Sequence, residues 1–508
     1  MTTTSSNSII AKNTVFLYAR MILVLVVGLY TSRVVLNVLG ASDFGVYSVV
    51  AGFVSLFSFL NASFSTSIQR FYNYEGGKNG DDGYTRVFSV GIRVHIILSI
   101  IIFVILETFG LWYINNVMVM PPERLISANI IFQVSILSLL LVIIQIPFIG
   151  AIIAKERLDF YALVSIIEVI LRLVFILLLP FIPFDKLITY AIVQTLTSVI
   201  CFVLYVGYAK RKIPSLHLIK GIDKPLLKSI LSFSGWTLIG SFAFIFKGQG
   251  VNMVLNSFFG TIVNAASGIA YQVNNAISSF SSNIGMSFRP QLVESYAQER
   301  YSRTYNLFLT QSKVCYSFIL MLITPLILEM DYVLRLWLGD VFPEETIIFT
   351  SLVLIDTLVN SLVAPMTQVV FATGKIQKYQ VVTALINIVL VPLCWIFLKL
   401  GYPAWIAFLL MVLTSLGCLI FCLFMMHSVF PFSYREYFMR IILPCLIMTA
   451  VIPLLLIQIN NLLDTSFFKL IIESLSSIVL TSLLLYFLLF SGAEKNLAKQ
   501  FLSKILRK

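Results

Sequence analysis

Val34 to Arg70 opens on Val-Val-Leu-Asn (Val34, Val35, Leu36, Asn37). Shifted by 219 positions, Met253 to Arg289 opens on Met-Val-Leu-Asn (Met253, Val254, Leu255, Asn256). Without gaps, Ser48 falls on Ser267, Ala51 on Ala270, Val54 on Val273, Ser63 on Ser282 and Arg70 on Arg289, about 8 identities in 37 pairs. Each copy also covers the end of one long apolar segment and all of the next. A shared offset in a shared hydropathy context points to an internally duplicated membrane protein, with a substrate site between the halves.

Composition agrees. Of 508 residues, 59% are hydrophobic and 11% charged, and the mean hydropathy is +0.96. Ordinary soluble chains are nearer a quarter charged. Spanning the hydrocarbon takes roughly 20 apolar residues per helix. Strand alternation is missing, which favours helices over an outer-membrane barrel. The six cysteines lie inside apolar runs and read as small buried hydrophobes, not as metal ligands or disulfides. No phosphate-binding G-x-x-x-x-G-K-[ST] loop is present, and the three histidines are scattered. No metal, cofactor or catalytic group is expected, and the net charge of +12 suits anionic lipid better than nucleic acid.

The hydropathy pattern predicts an all-α polytopic protein of about fourteen transmembrane helices. The predicted spans are roughly 14–39, 44–72, 87–113, 125–153, 160–182, 186–209, 229–258, 262–290, 305–329, 346–372, 378–399, 402–427, 437–459 and 466–490. Lys and Arg alternate strongly between sides, about 22 on one against about 5 on the other. The positive-inside rule then puts both termini in the cytoplasm. This divides the chain into an N-terminal lobe of six helices (1–210), a basic cytoplasmic linker (211–228) and a second lobe of six (229–430). Two further helices (431–490) and a basic amphipathic tail at the membrane surface (491–508) follow. Gly76 to Gly83 reads as a flexible turn. Pro147, Pro365 and the glycines 235, 240, 248 and 250 read as places where spans bend.

Charge inside the spans directs attention to function, because an ionisable group at bilayer depth costs roughly 2.5–3.5 kcal/mol. Lys247 lies deep in the seventh span and Asp356 near the middle of the tenth. Glu168 and Arg172 lie four apart in the fifth, a spacing that also suits a self-neutralising helical pair. Arg20 and Arg33 flank the middle of the first. Arg93, Lys313, Arg70 and Arg289 read as cations snorkelling to the interface. Deep cations outnumber deep anions. A central cavity would be positive, and its cargo an anion such as a pyrophosphate. Arg33, Lys247, Arg172 and Arg20 are the candidate substrate contacts. Glu168 and Asp356 are the candidates for charge balance or for carrying a coupling proton or sodium ion.

The stretch LYTSRVVLNVLGASDFGVY (Leu29 to Tyr47) resembles the opening of Wzx-type bacterial polysaccharide flippases. So does Ser232 to Ala297, with its SFSGW start, GQGVNMVLNSFFGTIVNAASGIAYQVNNAISSF core and RPQLVESYA end. These flippases belong to the multidrug/oligosaccharidyl-lipid/polysaccharide (MOP) exporter superfamily. The resemblance implies two facing six-helix lobes, alternating access and a lipid-linked oligosaccharide substrate on undecaprenyl pyrophosphate. It implies a place in the bacterial inner membrane, in lipopolysaccharide O-antigen or capsule synthesis beside other assembly proteins. The lipid II flippase of the same superfamily has a cavity-facing arginine late in its first helix, and Arg33 matches it. The family pattern has arginine where this chain has Ser267, so no such contact is assigned there. Two alternatives are a cation-coupled multidrug exporter, which the positive interior disfavours, and a membrane glycan polymerase or ligase. The latter needs a large outer loop that the chain does not offer.

Overall fold

A computed structural model describes residues 3–155, 157–221, 223–373, 376–429, 433–490, 492, 494 and 495. Within these, the side chains of residues 3–25 and of scattered helical positions, Arg289 among them, are not described. The order is α1 (Thr3–Ser55), α2 (Phe59–Ile105), α3 (Leu111–Asn116), α4 (Leu125–Ile144), α5 (Ile146–Ala154), α6 (Leu158–Leu178), α7 (Lys186–Lys212), α8 (Lys224–Phe259) and α9 (Thr261–Ala297). Then come α10 (Tyr301–Leu328), α11 (Met330–Leu338), α12 (Glu345–Thr373), α13 (Gln377–Lys399), α14 (Ile406–Val429), α15 (Tyr434–Tyr437), α16 (Leu443–Asn460) and α17 (Phe467–Leu484). Among the described residues no strand forms. In hydrocarbon only helices and closed barrels satisfy every backbone polar group.

Twelve described helical segments are long and apolar enough to cross a membrane. The first of them, Val26–Gly76, contains a break at Gly40, and α9 is outside the twelve because Ser, Asn and Gln punctuate it. Splitting the one and adding the other accounts for the fourteen predicted spans. The chain is an all-α multi-pass membrane protein.

The two repeat copies break at the same place. Gly40 has φ 76°, ψ 168°, and Gly260 has φ 75°, ψ −166°. Positive φ of this kind is open to glycine and strained for other residues. The two glycines are 220 apart, whereas Asn37 and Asn256 are 219 apart. The second copy therefore carries one extra residue before its turn, which the gap-free alignment hid. Ser48 is equivalent to Gly268 at this offset, and the two face each other. A β-carbon on Gly268 would stand 3.0 Å from Ser48 Oγ. A position meeting its own equivalent is the mark of a two-fold-like arrangement.

Bends fall only partly where breakers predicted them. Helix α4 gives way to α5 at Gln145, just before Pro147. By contrast, α8 runs unbroken through its glycines and α12 through Pro365. The predicted turn between Gly76 and Gly83 is a break at Gly80 alone (φ 59°, ψ −135°). Gly76 and Gly83 there admit close contact with Tyr84 and the Glu75 carbonyl.

The chain clusters into two compact units. The first comprises Met1–Gly268, Trp337–Glu344 and Asn387–Ala404. The second comprises Ile269–Leu336, Glu345–Ile386 and Trp405–Lys508. In the first, Val46, Val50, Phe53, Phe64, Ile68 and Tyr72 lie in a continuous core with residues of α2, α4, α5 and α7. In the second, Phe349 of α12 packs its ring 4.4 Å from that of Phe408 of α14, and Phe308 of α10 stacks on Tyr437.

Residues 213–221 and Asp223, between α7 and α8, are fastened to α2. Thr85 Oγ1 donates to Ser215 O at 2.8 Å. Arg86 Nε and Nη2 donate to Asp223 Oδ2 at 2.9 and 2.5 Å. Arg93 donates to the carbonyls of Ile219 and Gly221, and so also holds this segment. Asp223 also caps α8, accepting from Leu226 N at 3.0 Å. The backbone N–H of Leu226 and then Arg86 hold its carboxyl below the ordinary 3.8. A depressed folded value gives stability that is present above the unfolded value and lost as pH falls through the folded one. Acid below the usual carboxylate range is therefore expected to loosen 213–223. Limited proteolysis should show cleavage there rising in acid for the wild type, and already raised at neutral pH in Asp223→Ala. The lost cap alone is worth about 1 kcal/mol.

Candidate functional site

The charged candidates divide between the units. Arg33, Glu168, Arg172 and Lys247 belong to the first and Asp356 to the second. The side chain of Arg20 lies outside the described residues.

Lys247 is only 5% exposed, in the middle of α8. An ammonium buried within a span is costly to hold, so its retention there is a specific feature. Arg33 sits exposed on α1, seven residues before the Gly40 break. Arg172 Nη2 meets Glu168 Oε1 at 2.6 Å, the i,i+4 pairing that the spacing on α6 predicted. Both side chains stay partly accessible, at 46% and 37%. The pairing does not seal the guanidinium, which has further donors to offer.

What surrounds Arg172 was not apparent in the sequence. The guanidinium is within electrostatic reach of the Tyr47 and Tyr190 hydroxyls. The two rings meet edge-on with centroids 4.6 Å apart. Gln194 Nε2 donates to Tyr190 Oη at 3.1 Å, and its buried Oε1 has no partner. One helix–helix corner of the first unit thus offers a guanidinium, two phenols and an amide. Phosphate suits the first, and sugar hydroxyls and ring faces suit the others. The signal in sequence was faint: Tyr190 and Gln194 are one turn apart on α7, and Tyr47 is 143 residues away.

Asp356 is 8% exposed and built into packing. Its Oδ1 accepts from Ser415 Oγ of α14 at 2.5 Å, and its Oδ2 from Asn360 Nδ2 at 2.9 Å. A carboxylate held by two donors ties α12 to α14, and the pair leaves both oxygens engaged. Lys313, read as snorkelling, is instead 5% exposed and salt-bridged to Glu494 at 2.9 Å. The acid lies 181 residues away, in the tail, which is why helix spacing could not reveal it.

The GQGVNMVLN motif does structural work at the second glycine turn. Asn256 Nδ2 donates to Asn264 Oδ1 at 2.9 Å and to Val119 O at 3.0 Å, while its Oδ1 accepts from Val119 N at 2.9 Å. Asn264 Nδ2 donates back to Asn252 Oδ1 at 2.7 Å. This closed amide network fixes α8, α9 and the segment after α3 to one another. Among the described residues no cluster of His, Cys, Asp and Glu suits a metal ion.

No protein-family profile matches the chain, and no curated protein matches it in sequence. Solved structures do. Lipid II flippase MurJ in an inward closed conformation is similar with a TM-score of 0.67 and 16% identity, over 93% of this chain and 97% of MurJ. An inward-facing multidrug resistance MATE family transporter of the MOP superfamily gives 0.65 and 13%, over 80% and 95%. A MOP superfamily transporter from Pyrococcus furiosus, in which reversed polarity of the binding pocket suggests a different function, gives 0.53 and 13%, over 83% and 93%. The chain has the fold of the MOP superfamily transporters.

Proposed function

We propose that this protein is a flippase, not an enzyme, that moves undecaprenyl-pyrophosphate-linked oligosaccharide units across the bacterial cytoplasmic membrane. Residues 1–210 and 229–430 form its two lobes, and both termini face the cytoplasm. It works by alternating access. The observation that carries this reading is the excess of cations among the charges held in the first unit at span depth. Arg33, Arg172 and Lys247 stand against Glu168 and Glu107, and Glu168 pairs with Arg172. Pyrophosphate would compete with Glu168 for the accessible guanidinium, while Tyr47, Tyr190 and Gln194 meet the sugars. Arg20 is a further candidate phosphate contact, and Glu168 or Asp356 balances charge during the cycle.

The fold by itself serves drug exporters as well as lipid flippases, so charge decides between them. A pocket for organic cations needs acids that outnumber bases, the reverse of what α1, α6 and α8 bring. Complementation tests the reading. The wild-type gene is expected to restore surface polysaccharide to a strain deleted for the chromosomal copy, without altering drug accumulation. Restored drug efflux with no polysaccharide would assign it to the exporters instead.

A further inference from the structure

Helix α17 has its polarity inside out. Its buried residues are Lys469, Glu473, Ser477 and Thr481, one every four, so a single polar stripe turns inward. Phe467, Phe468, Ile471, Leu475, Ile478, Val479 and Leu483 face outward. A span packed for stability alone buries its small and apolar residues; a polar stripe facing protein is the habit of a functional seam.

The stripe packs against α10, running antiparallel to it. At one end Lys469 Nζ pairs with Glu329 Oε1 at 2.8 Å, and Asn460 Nδ2 of α16 donates to the same oxygen at 2.5 Å. Lower down, Ser477 Oγ donates to Met321 O at 2.8 Å. At the far end Lys313 and Thr310 hold Glu494. Sixteen residues of α10 separate Lys313 from Glu329, about 24 Å at 1.5 Å per residue. Glu473 lies one turn along from Lys469 and is 0% exposed, and neither of its carboxylate oxygens has a hydrogen-bond partner. The buried hydroxyls of Thr481 and Ser317 and the Gln311 amide are also unpartnered, and the register sets Thr481 level with Ser317.

We propose that Glu473 is a proton-binding site of the two C-terminal helices, separate from the cargo site, loading and unloading one proton beside the Lys469–Glu329 pair. With the carboxyl ionised, the cluster has two negative charges and one positive and is buried in a low-dielectric setting. With one proton from water added, it is neutral, and the new O–H can donate a hydrogen bond. Glu329, the residue that follows α10, and Lys469 of α17 are the charges that act on Glu473, and Asn460 of α16 lies alongside. Among the described residues, Cys445 of α16, and Lys313, Cys315 and Tyr316 of α10, are other titratable groups buried among these helices. Tyr316 Oη is engaged with Thr449 Oγ1 at 2.5 Å. A metal cation is the poorer ligand, because the Lys469 ammonium already occupies Glu329. The proposal does not depend on which cargo is carried.

Carbodiimide labelling of the full-length protein in lipid nanodiscs tests it, because a carbodiimide adds to the protonated form of a buried carboxyl. Mass spectrometry should place the adduct on Glu473, with its yield falling as pH rises at constant sodium. The carboxylic-acid carbonyl band in a pH-difference infrared spectrum should be lost in Glu473→Gln and kept in Asp356→Asn. If Glu473→Gln does not fold, the labelling of wild type still decides. Absence of label on Glu473 at every pH where the fold is intact overturns the site. Protection by added sodium at fixed pH overturns the proton in favour of a metal cation.

Discussion

Gly45→Val is expected to prevent the packing around the second glycine turn and to lower the melting temperature sharply. A β-carbon at position 45 would lie 1.8 Å from the carbonyl oxygen of Thr261 and 2.6 Å from its carbon. Those are backbone atoms at the start of α9, so no rotamer change relieves the overlap. Only the separation of α1 from α9 does. Overpacking a core with an added methylene costs about 1–3 kcal/mol, and a clash with backbone belongs at or above the top of that range. Gly45→Ala should already show the effect, and Gly40→Ala should show a smaller one. At Gly40 the surroundings are open and only the φ of 76° is strained. Thermal unfolding in detergent, followed by fluorescence, separates the two. A Gly45→Val protein that melts with the wild type would mean the two helices are not this close.

The second large effect is at Glu494. Removing it by Glu494→Ala strands Lys313, which is 5% exposed, with its ammonium inside the protein. Breaking one partner of a buried ion pair costs about 3–5 kcal/mol, far more than the pair is worth against an apolar replacement. The double variant Lys313→Met, Glu494→Leu should therefore recover most of the loss. Equal stability of Glu494→Ala and wild type would place Lys313 in contact with water. The comparison also measures how firmly Glu494 is held to α10.

Much of the fold was legible because hydropathy reports helices long enough to span, and because a duplicated Leu-Asn before a glycine turn survives as sequence. The one-residue insertion was not legible. Eight scattered identities in a gap-free frame cannot reveal that Gly40 and Gly260 share a conformation at a different offset. Mid-span charge found Lys247, Asp356 and the Glu168–Arg172 pair, since a single helix carries that signal. Partners from distant helices stayed hidden, as Glu494 was for Lys313 and Tyr47 for Arg172. The stripe on α17 was readable in principle, at four-residue spacing from Lys469 to Thr481.

The most direct measurement is leaflet exchange in proteoliposomes. Purified protein is reconstituted with an undecaprenyl-pyrophosphate-linked oligosaccharide, and the fraction reached by an impermeant sugar-binding protein is followed in time. Wild type is expected to equalise the leaflets, and Lys247→Ala to slow this by roughly tenfold or more, about 1.4 kcal/mol on the barrier. Equal rates for the two proteins would contradict Lys247 as a cargo contact. Wild-type vesicles no faster than protein-free ones would contradict the flippase itself.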